Sequence, residues 1–440
     1  LRKEIYIAYG SLCNNDNFNN NEIIKEIVQL KHKRAQLLGY KTFADYVLDD
    51  RMAKNTSNVY GLLDDLYDNC YPKAKVEIEE LKDYAKELDG LNDFQPWDQS
   101  YYFTKLQKKK FDIDPEMLRP YFKAENVISG IFKVANKLFG IEFNEVTNVD
   151  TWHDEVNVFE VLNEDKSFVG LIYIDLHPRP TKRSGAWMSS IKDNGLSKGE
   201  IQRPHVQFTA NLTRSTEDKP ALLTFGEVET VFHEFGHCLH GLLSDCKYST
   251  IGNTNVKWDF VELPSQIMEN WVSEKEALNL FAQHFETGNN IPDELIKKIK
   301  DSKNFGQANM YLRQISLGYV DMAWHTTTEL IEDVEQFEKD TLKKTALFEK
   351  VKNTTISSHF GHIFGGGYAA GYYSYKWAEV LEADAFESFK ENGIFHKETA
   401  TSFRENILSK GNLKNPMKLY TQFKGREPKV DALLKRDGLI

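Results

Sequence analysis

Cysteine is scarce in this chain: four in 440 residues. Cys13, Cys70, Cys238 and Cys246 form no paired or CxxC pattern, which excludes a disulfide scaffold and predicts reduced thiols in a cytoplasmic protein. Long apolar runs are also missing. No stretch approaches the ~18 residues that a membrane-crossing helix needs, and the mean hydropathy is −0.52. Positive charge is in short supply, with 55 Lys and Arg against 66 Asp and Glu and a net charge of −11. That balance excludes nucleic acid as the main partner. The one basic run, Lys105 to Lys110, lies among acidic helices and reads as a solvated face. The chain opens on Leu1-Arg2-Lys3-Glu4 rather than on Met or an apolar signal region. It is therefore expected to be a processed product or a piece of something longer. Repeats are lacking too, and the only low-complexity stretch is the short cluster Asn14–Asn21.

What is present is a globular composition, 41% hydrophobic, large enough for more than one core. Helical patterns run from Glu22 to about Tyr46, with Ile23, Ile24, Ile27, Val28, Leu30, Ala35 and Leu38 apolar and Gly39 as a break. They continue from Thr56 to Leu88 as one helix or two, from Trp97 to Lys110, and from Ala124 to Phe139. Near Asp154 the pattern changes to extended segments: Val156–Val161, Phe168–Asp175, Gly185–Met188 and Val206–Asn211. Turn formers separate them, so three to five strands are expected. Beyond about residue 216 the chain is again helical. The division expected is a helical segment 1–153 forming part of a cleft wall, a small sheet region 154–215, and a helical zinc-binding region 216–440.

The stretch Val231–His240 contains His233-Glu234-Phe235-Gly236-His237. On a helix, positions i and i+4 share a face one turn apart, so both imidazoles can aim at one zinc ion. Glu234 then sits where a carboxylate can take a proton from an attacking water. Thr224 and Glu227 have the form of a capping box that starts this helix. Val228, Val231, Phe232, Phe235 and Leu239 supply its buried stripe, and Gly241 is the expected stop. Gly236, with no Cβ one position before a ligand, predicts close approach by another segment. Cys238 points about 100° away from His237 and belongs to the packing. A buried helix whose histidines fill polar niches would show the same five residues, so a third ligand decides the matter. Downstream, Asn255–Trp271 has helical periodicity and carries Asp259, Glu262 and Glu269. Spacing alone leaves all three open as ligands, with a neighbour free to accept the far N–H of a ligand imidazole.

Several blocks together resemble one known family. They are His233–His237, Gly252–Val256 and Asp259–Gln266; Trp97-Asp98 with Tyr101-Tyr102, Phe111–Asp114 and Leu118–Phe122; and His362–Trp377. These closely resemble the thimet oligopeptidase family of zinc metallopeptidases, nearest to its bacterial dipeptidyl carboxypeptidase and oligopeptidase branches. The resemblance covers the whole chain, which looks like the catalytic C-terminal portion of such a protein. It implies a mainly α, multi-helical zincin-like fold with a small β-sheet beside the HExxH helix. It implies one Zn2+ per chain on His233, His237 and Glu262, with Glu234 as general base. It carries His362 and Tyr375 over as oxyanion contacts and Tyr368 as a substrate contact. Neutral donors of that kind stabilise an oxyanion without opposing the metal. Gly365, Gly366, Gly367 and Gly371 would let their loop bend.

The expected activity is zinc-dependent hydrolysis of short peptides by a monomer, with release of C-terminal dipeptides favoured and endo-acting cleavage as the alternative. Gly185 and Ala186 would admit a substrate backbone to a strand edge. Arg179, Lys182 or Arg183 would be candidates for a substrate's terminal carboxylate. A second alternative is a peptide-binding fragment without turnover.

Overall fold

The computed structural model describes residues 1–14 and 17–440, so positions 15 and 16 of the Asn-rich cluster lie outside the described residues. The chain is mainly helical with one small mixed sheet. Along it run α1 Asn21–Leu37, α2 Thr56–Asp89, α3 Gln99–Phe111, α4 Ala124–Phe139, α5 Phe225–Leu242, α6 Leu263–Glu269, α7 Gln307–Thr326 and α8 Ser374–Asn392, with further helices before, between and after them. Two compact units emerge: Leu1–Asp112 with Ser302–Trp377 and Leu434–Ile440, and Ile113–Asp301 with Ala378–Leu433. Among the described residues no helix is long and apolar enough to cross a membrane.

The first unit is helical. Where the sequence left one helix or two, α2 is a single helix with Pro72 inside it. The Asn55 side chain caps its start and Gly90, in the left-handed region, ends it. Of the apolar residues expected on one face of α1, Ile24, Val28 and Ala35 are buried, whereas Ile23, Leu30 and Leu38 are more than half exposed. Seven apolar residues outnumber what one stripe can hold, and only those in phase with a 3.6-residue period reach the core. Ile24 and Val28 pack with Leu317, Val320 and Trp324 of α7 and with Phe360, Ile363 and Tyr372. A second cluster joins Ile78, Leu81 and Ala85 of α2 to Tyr102 and Leu106 of α3.

The second unit holds the sheet. Its strands are β1 Ile141–Val146, β2 Asn157–Asn163, β3 Phe168–Asp175, β4 Trp187–Lys192, β5 Gly195–Ser197, β6 Glu200–Gln202 and β7 His205–Thr209. Five form one sheet in the order β1-β2-β3-β7-β4, while β5 and β6 make a separate hairpin. The β3–β7 pair is parallel and the other pairs are antiparallel. β1 precedes the point where extended structure was expected to begin. It is an edge strand with Glu142, Asn144 and Glu145 on it, and such a polar segment carries little strand signal. β4 is the opposite edge.

Helix α5 lies against this sheet. The capping box forms as expected: the Glu227 N–H donates to Thr224 Oγ1 at 3.1 Å, and the Thr224 N–H donates to Glu227 Oε2 at 2.7 Å. Gly241 does not stop the helix, which runs on to Leu242. Its missing side chain instead makes room, since a Cβ there would sit 2.6 Å from Met188 Cε of β4 and 2.9 Å from Val206 Cγ1 of β7.

Candidate metal centre

The helix carrying HExxH is anchored by its apolar stripe. Val228, Val231, Phe232, Phe235 and Leu239 are all buried. Against it lies α6, and the closest approach is at Gly236. A Cβ there would meet Pro264 O at 2.2 Å and Ser265 Cα at 2.6 Å. Only glycine lets the two helices close to this distance, and the closure delivers Glu262, immediately before α6, to the face that holds His233 and His237. Ligand atoms of these three residues lie within 4.8 Å of one another. Glu262 Oε2 is 3.4 Å from His233 Nε2 and 3.2 Å from His237 Nε2. Two imidazole nitrogens and one carboxylate oxygen converging in this way fit a zinc ion with one coordination position left over.

The surroundings orient these donors. Glu269 Oε1 takes the other nitrogen of His233, Nδ1, at 2.6 Å, and the Ser265 hydroxyl donates to Glu262 Oε2 at 3.0 Å. Of the three acidic residues that spacing could not separate, Glu262 lies in the cluster and Glu269 behind it. Asp259 is fully buried and outside the cluster. Burial alone would push the Glu262 carboxyl up, but His237 and His233 hold it well below the usual carboxylate range. Glu234, the residue after His233, is buried, and its Oε2 has no protein hydrogen-bond partner. Burial pushes its carboxyl up, against the pull of His233 and His237. Cys238 is fully buried and its thiol is pushed well up by burial. His240, to which the sequence assigned no role, is also fully buried. Burial, and then His237, push it down to about 3, so it is neutral packing.

Gly185 and Ala186 lead directly into the edge strand β4. Gly185 has φ +94, and its carbonyl, with that of Arg183, accepts the Asn211 side-chain amide at 2.6 and 2.8 Å. The neighbouring cations are committed elsewhere. Arg179 forms a two-pronged pair with Asp175 at 2.8 Å for each prong, and Lys182 Nζ donates to Asp175 Oδ1 at 2.9 Å. Of the three cations considered for a substrate carboxylate, only Arg183 is exposed at the surface.

His362, Tyr368 and Tyr375 are brought together within the first unit. The rings of Tyr368 and Tyr375 stack at 5.0 Å between centroids, and His362 lies 5.8 and 6.5 Å from them. His362 is exposed and the two tyrosines are half-buried. Tyr372 and Tyr373 are buried, and Tyr372 donates its hydroxyl to Gln314 at 3.0 Å. The glycines were expected to supply the bend. Among the described residues of 361–374 the one with positive φ is Ala370, at φ 52, a fact that leaves the glycines' part in any bending of the loop untouched.

A cavity of about 610 Å³ lies beyond the C-terminal end of α5, lined by Arg203 and Arg404 and by none of the HExxH residues.

Residues 1–439 match Peptidase family M3. Oligopeptidase A of Salmonella typhimurium is 40% identical over 448 residues, covering 100% of this chain and 66% of that protein. Dipeptidyl carboxypeptidase of Escherichia coli is 34% identical over 444 residues, again covering the whole chain and 65% of the relative. The chain thus spans just under two thirds of the length of these relatives. In fold it resembles a carboxypeptidase from Pyrococcus furiosus, with a TM-score of 0.57 at 13% identity over 99% of this chain and 76% of the other. The chain belongs to Peptidase family M3.

Proposed function

We propose that this member of the M3 family hydrolyses short peptides using one zinc ion per chain, held by His233, His237 and Glu262, and that it cuts within the peptide. The observation that carries the reading is the closed His-His-Glu set with the buried Glu234 carboxylate beside it. A zinc ion held there would supply Lewis-acid polarisation of a peptide carbonyl and acidify an attacking water. Glu234 takes that water's proton on Oε2 and later delivers it to the leaving amine. Its buried setting, which raises its proton affinity, suits both halves of the task. An extended substrate pairs its backbone with the open edge of β4, entering beside Gly185 and Ala186. The parts of His362 and Tyr375 as oxyanion donors, and of Tyr368 as a substrate contact, rest on the family resemblance. The same reading has the enzyme acting as a cytoplasmic monomer on peptides, with no nucleic-acid partner.

Release of C-terminal dipeptides needs a cation free to take the substrate's terminal carboxylate. Arg179 and Lys182 are already neutralised by Asp175, which leaves exposed Arg183 as the one of the three cations on which the dipeptidase reading would rest. Matched peptides with free and amidated C-termini test this. Equal kcat/KM supports endo-acting cleavage, and a loss of about tenfold or more on amidation restores the dipeptidase. Metal analysis at one zinc per chain, with turnover that Glu234→Gln abolishes, separates an enzyme from a binding fragment.

A further inference from the structure

The loop bearing His362, Tyr368 and Tyr375 is held from behind by groups that play no part in the reaction as described. Asp321, on α7, is completely buried. Its carboxylate accepts three successive backbone N–H groups from the far end of the loop: Ala370 to Oδ1, and Gly371 and Tyr372 to Oδ2, each at 2.8 Å. One turn further along α7, His325 Nδ1 pairs with the Asp321 backbone carbonyl at 2.8 Å and lies 2.8 Å from the same Oδ1. The other nitrogen of that ring, Nε2, lies 3.2 Å from Lys31 Nζ of α1. Because an ammonium can only donate, Nε2 is the acceptor and the ring proton sits on Nδ1, facing Asp321. Lys31 Nζ also donates to the carbonyl of Ile363 at 2.9 Å, at the near end of the loop.

One chain of hydrogen bonds therefore grips the loop at both ends, the Ile363 carbonyl and the amides of 370–372. Between these grips lie Gly365, Gly366 and Gly367, which impose no conformation of their own. The left-handed backbone at Ala370 is unfavourable for a residue with a Cβ and persists only where surrounding contacts enforce it. Its N–H is one of the three that Asp321 holds.

We propose that Asp321, supported by His325 and Lys31, is a positioning residue. It fixes the 362–375 loop so that the His362, Tyr368 and Tyr375 side chains are set before substrate arrives. This rests on the reading that those side chains act in the reaction. Preset donors avoid reorganisation at the moment of reaction, and misplacement by about 1 Å costs on the order of 10²-fold in rate.

A double-mutant cycle on the zinc-loaded full chain separates the two ideas. Tyr375→Phe is expected to lower kcat about 10²-fold, and Asp321→Asn to lower kcat more than it raises KM. The double variant is expected to lose less than the product of the two single losses, since the part of the Asp321→Asn loss that acts through Tyr375 is already gone. Hydrogen exchange supplies a readout independent of turnover: the amides of 370–372 exchange about tenfold faster in Asp321→Asn than in wild type. Should Asp321→Asn fold poorly, Lys31→Met tests the half-exposed end of the chain. It lowers kcat at unchanged zinc content, and Lys31→Arg, which keeps the donors, recovers most of the loss. Wild-type kcat in Asp321→Asn, or losses that simply multiply in the double variant, would overturn the proposal. Wild-type kcat in Tyr375→Phe would instead bring down the reading of the loop, and the positioning role with it, whatever the exchange rates show.

Discussion

Glu269 Oε1 sits 2.6 Å from His233 Nδ1, and the opposite nitrogen of that ring is turned to within 3.4 Å of Glu262. The contact fixes which ring nitrogen is free for a metal and makes that nitrogen a better donor. Glu269→Ala is therefore expected to weaken zinc binding about 10- to 100-fold, with little effect on the fold because the carboxylate is partly exposed. Competition against a chelator reads the change directly. An unaltered zinc Kd would remove Glu269 from the site.

Glu234→Gln keeps the shape of the side chain and removes its ability to take a proton. Turnover should fall about 10²- to 10⁴-fold, while zinc content and thermal midpoint stay near those of wild type. The carboxylate is buried and its Oε2 has no protein partner, so the substitution breaks no contact made by that oxygen within the fold. A variant that loses its zinc as well would show that Glu234 supports the metal instead of the chemistry.

Much of this site was legible because its parts are local. The HExxH spacing, the Thr224–Glu227 box and the stripe of α5 are properties of one helix, and a 3.6-residue period exposes them. Gly236 could be read as a point of close approach, but which segment approaches is long-range information that spacing does not carry. The same gap left Asp259, Glu262 and Glu269 unresolved by spacing; the family resemblance pointed to Glu262, and the packing of α6 on α5 brings that residue beside His233 and His237. β1 went unread because its alternation, Ile141, Glu142, Phe143 and Asn144, is only four residues long and directly follows helix α4. Asp321 and His325 carried a readable signal, an acid and a histidine at i and i+4 on one helix. Their target, a run of backbone amides on a distant loop, has no signature in side-chain type.

The approach at Gly236 gives a prediction about packing. In Gly236→Ala the new methyl would lie 2.2 Å from Pro264 O and 2.6 Å from Ser265 Cα, both backbone atoms that cannot rotate away. The two helices must separate, at a cost of about 1–3 kcal/mol. That separation carries Glu262 away from His237, so zinc affinity should fall together with Tm. A variant that loses stability but binds zinc as tightly as wild type would show that the helix spacing does not set the ligand geometry.

The buried pairings of Asp175 predict how stability responds to acid. Burial alone would push this carboxyl up, but Arg179, Lys182 and Trp152 more than reverse the effect and hold it far below the usual carboxylate range. A carboxylate whose pKa is depressed by folding stabilises the protein above its unfolded pKa, about 3.9. The contribution is lost as pH falls through that value toward the folded one. Asp175→Asn should therefore lower stability at pH 7, and it also leaves Lys182, only 3% exposed, without its counter-charge. The gap between wild type and variant should hold from pH 7 to about 5 and narrow as pH drops below about 4. Urea midpoints measured across that range read the gap. Two curves that stay parallel down to pH 3 would mean that Asp175 is not held as an anion by these cations.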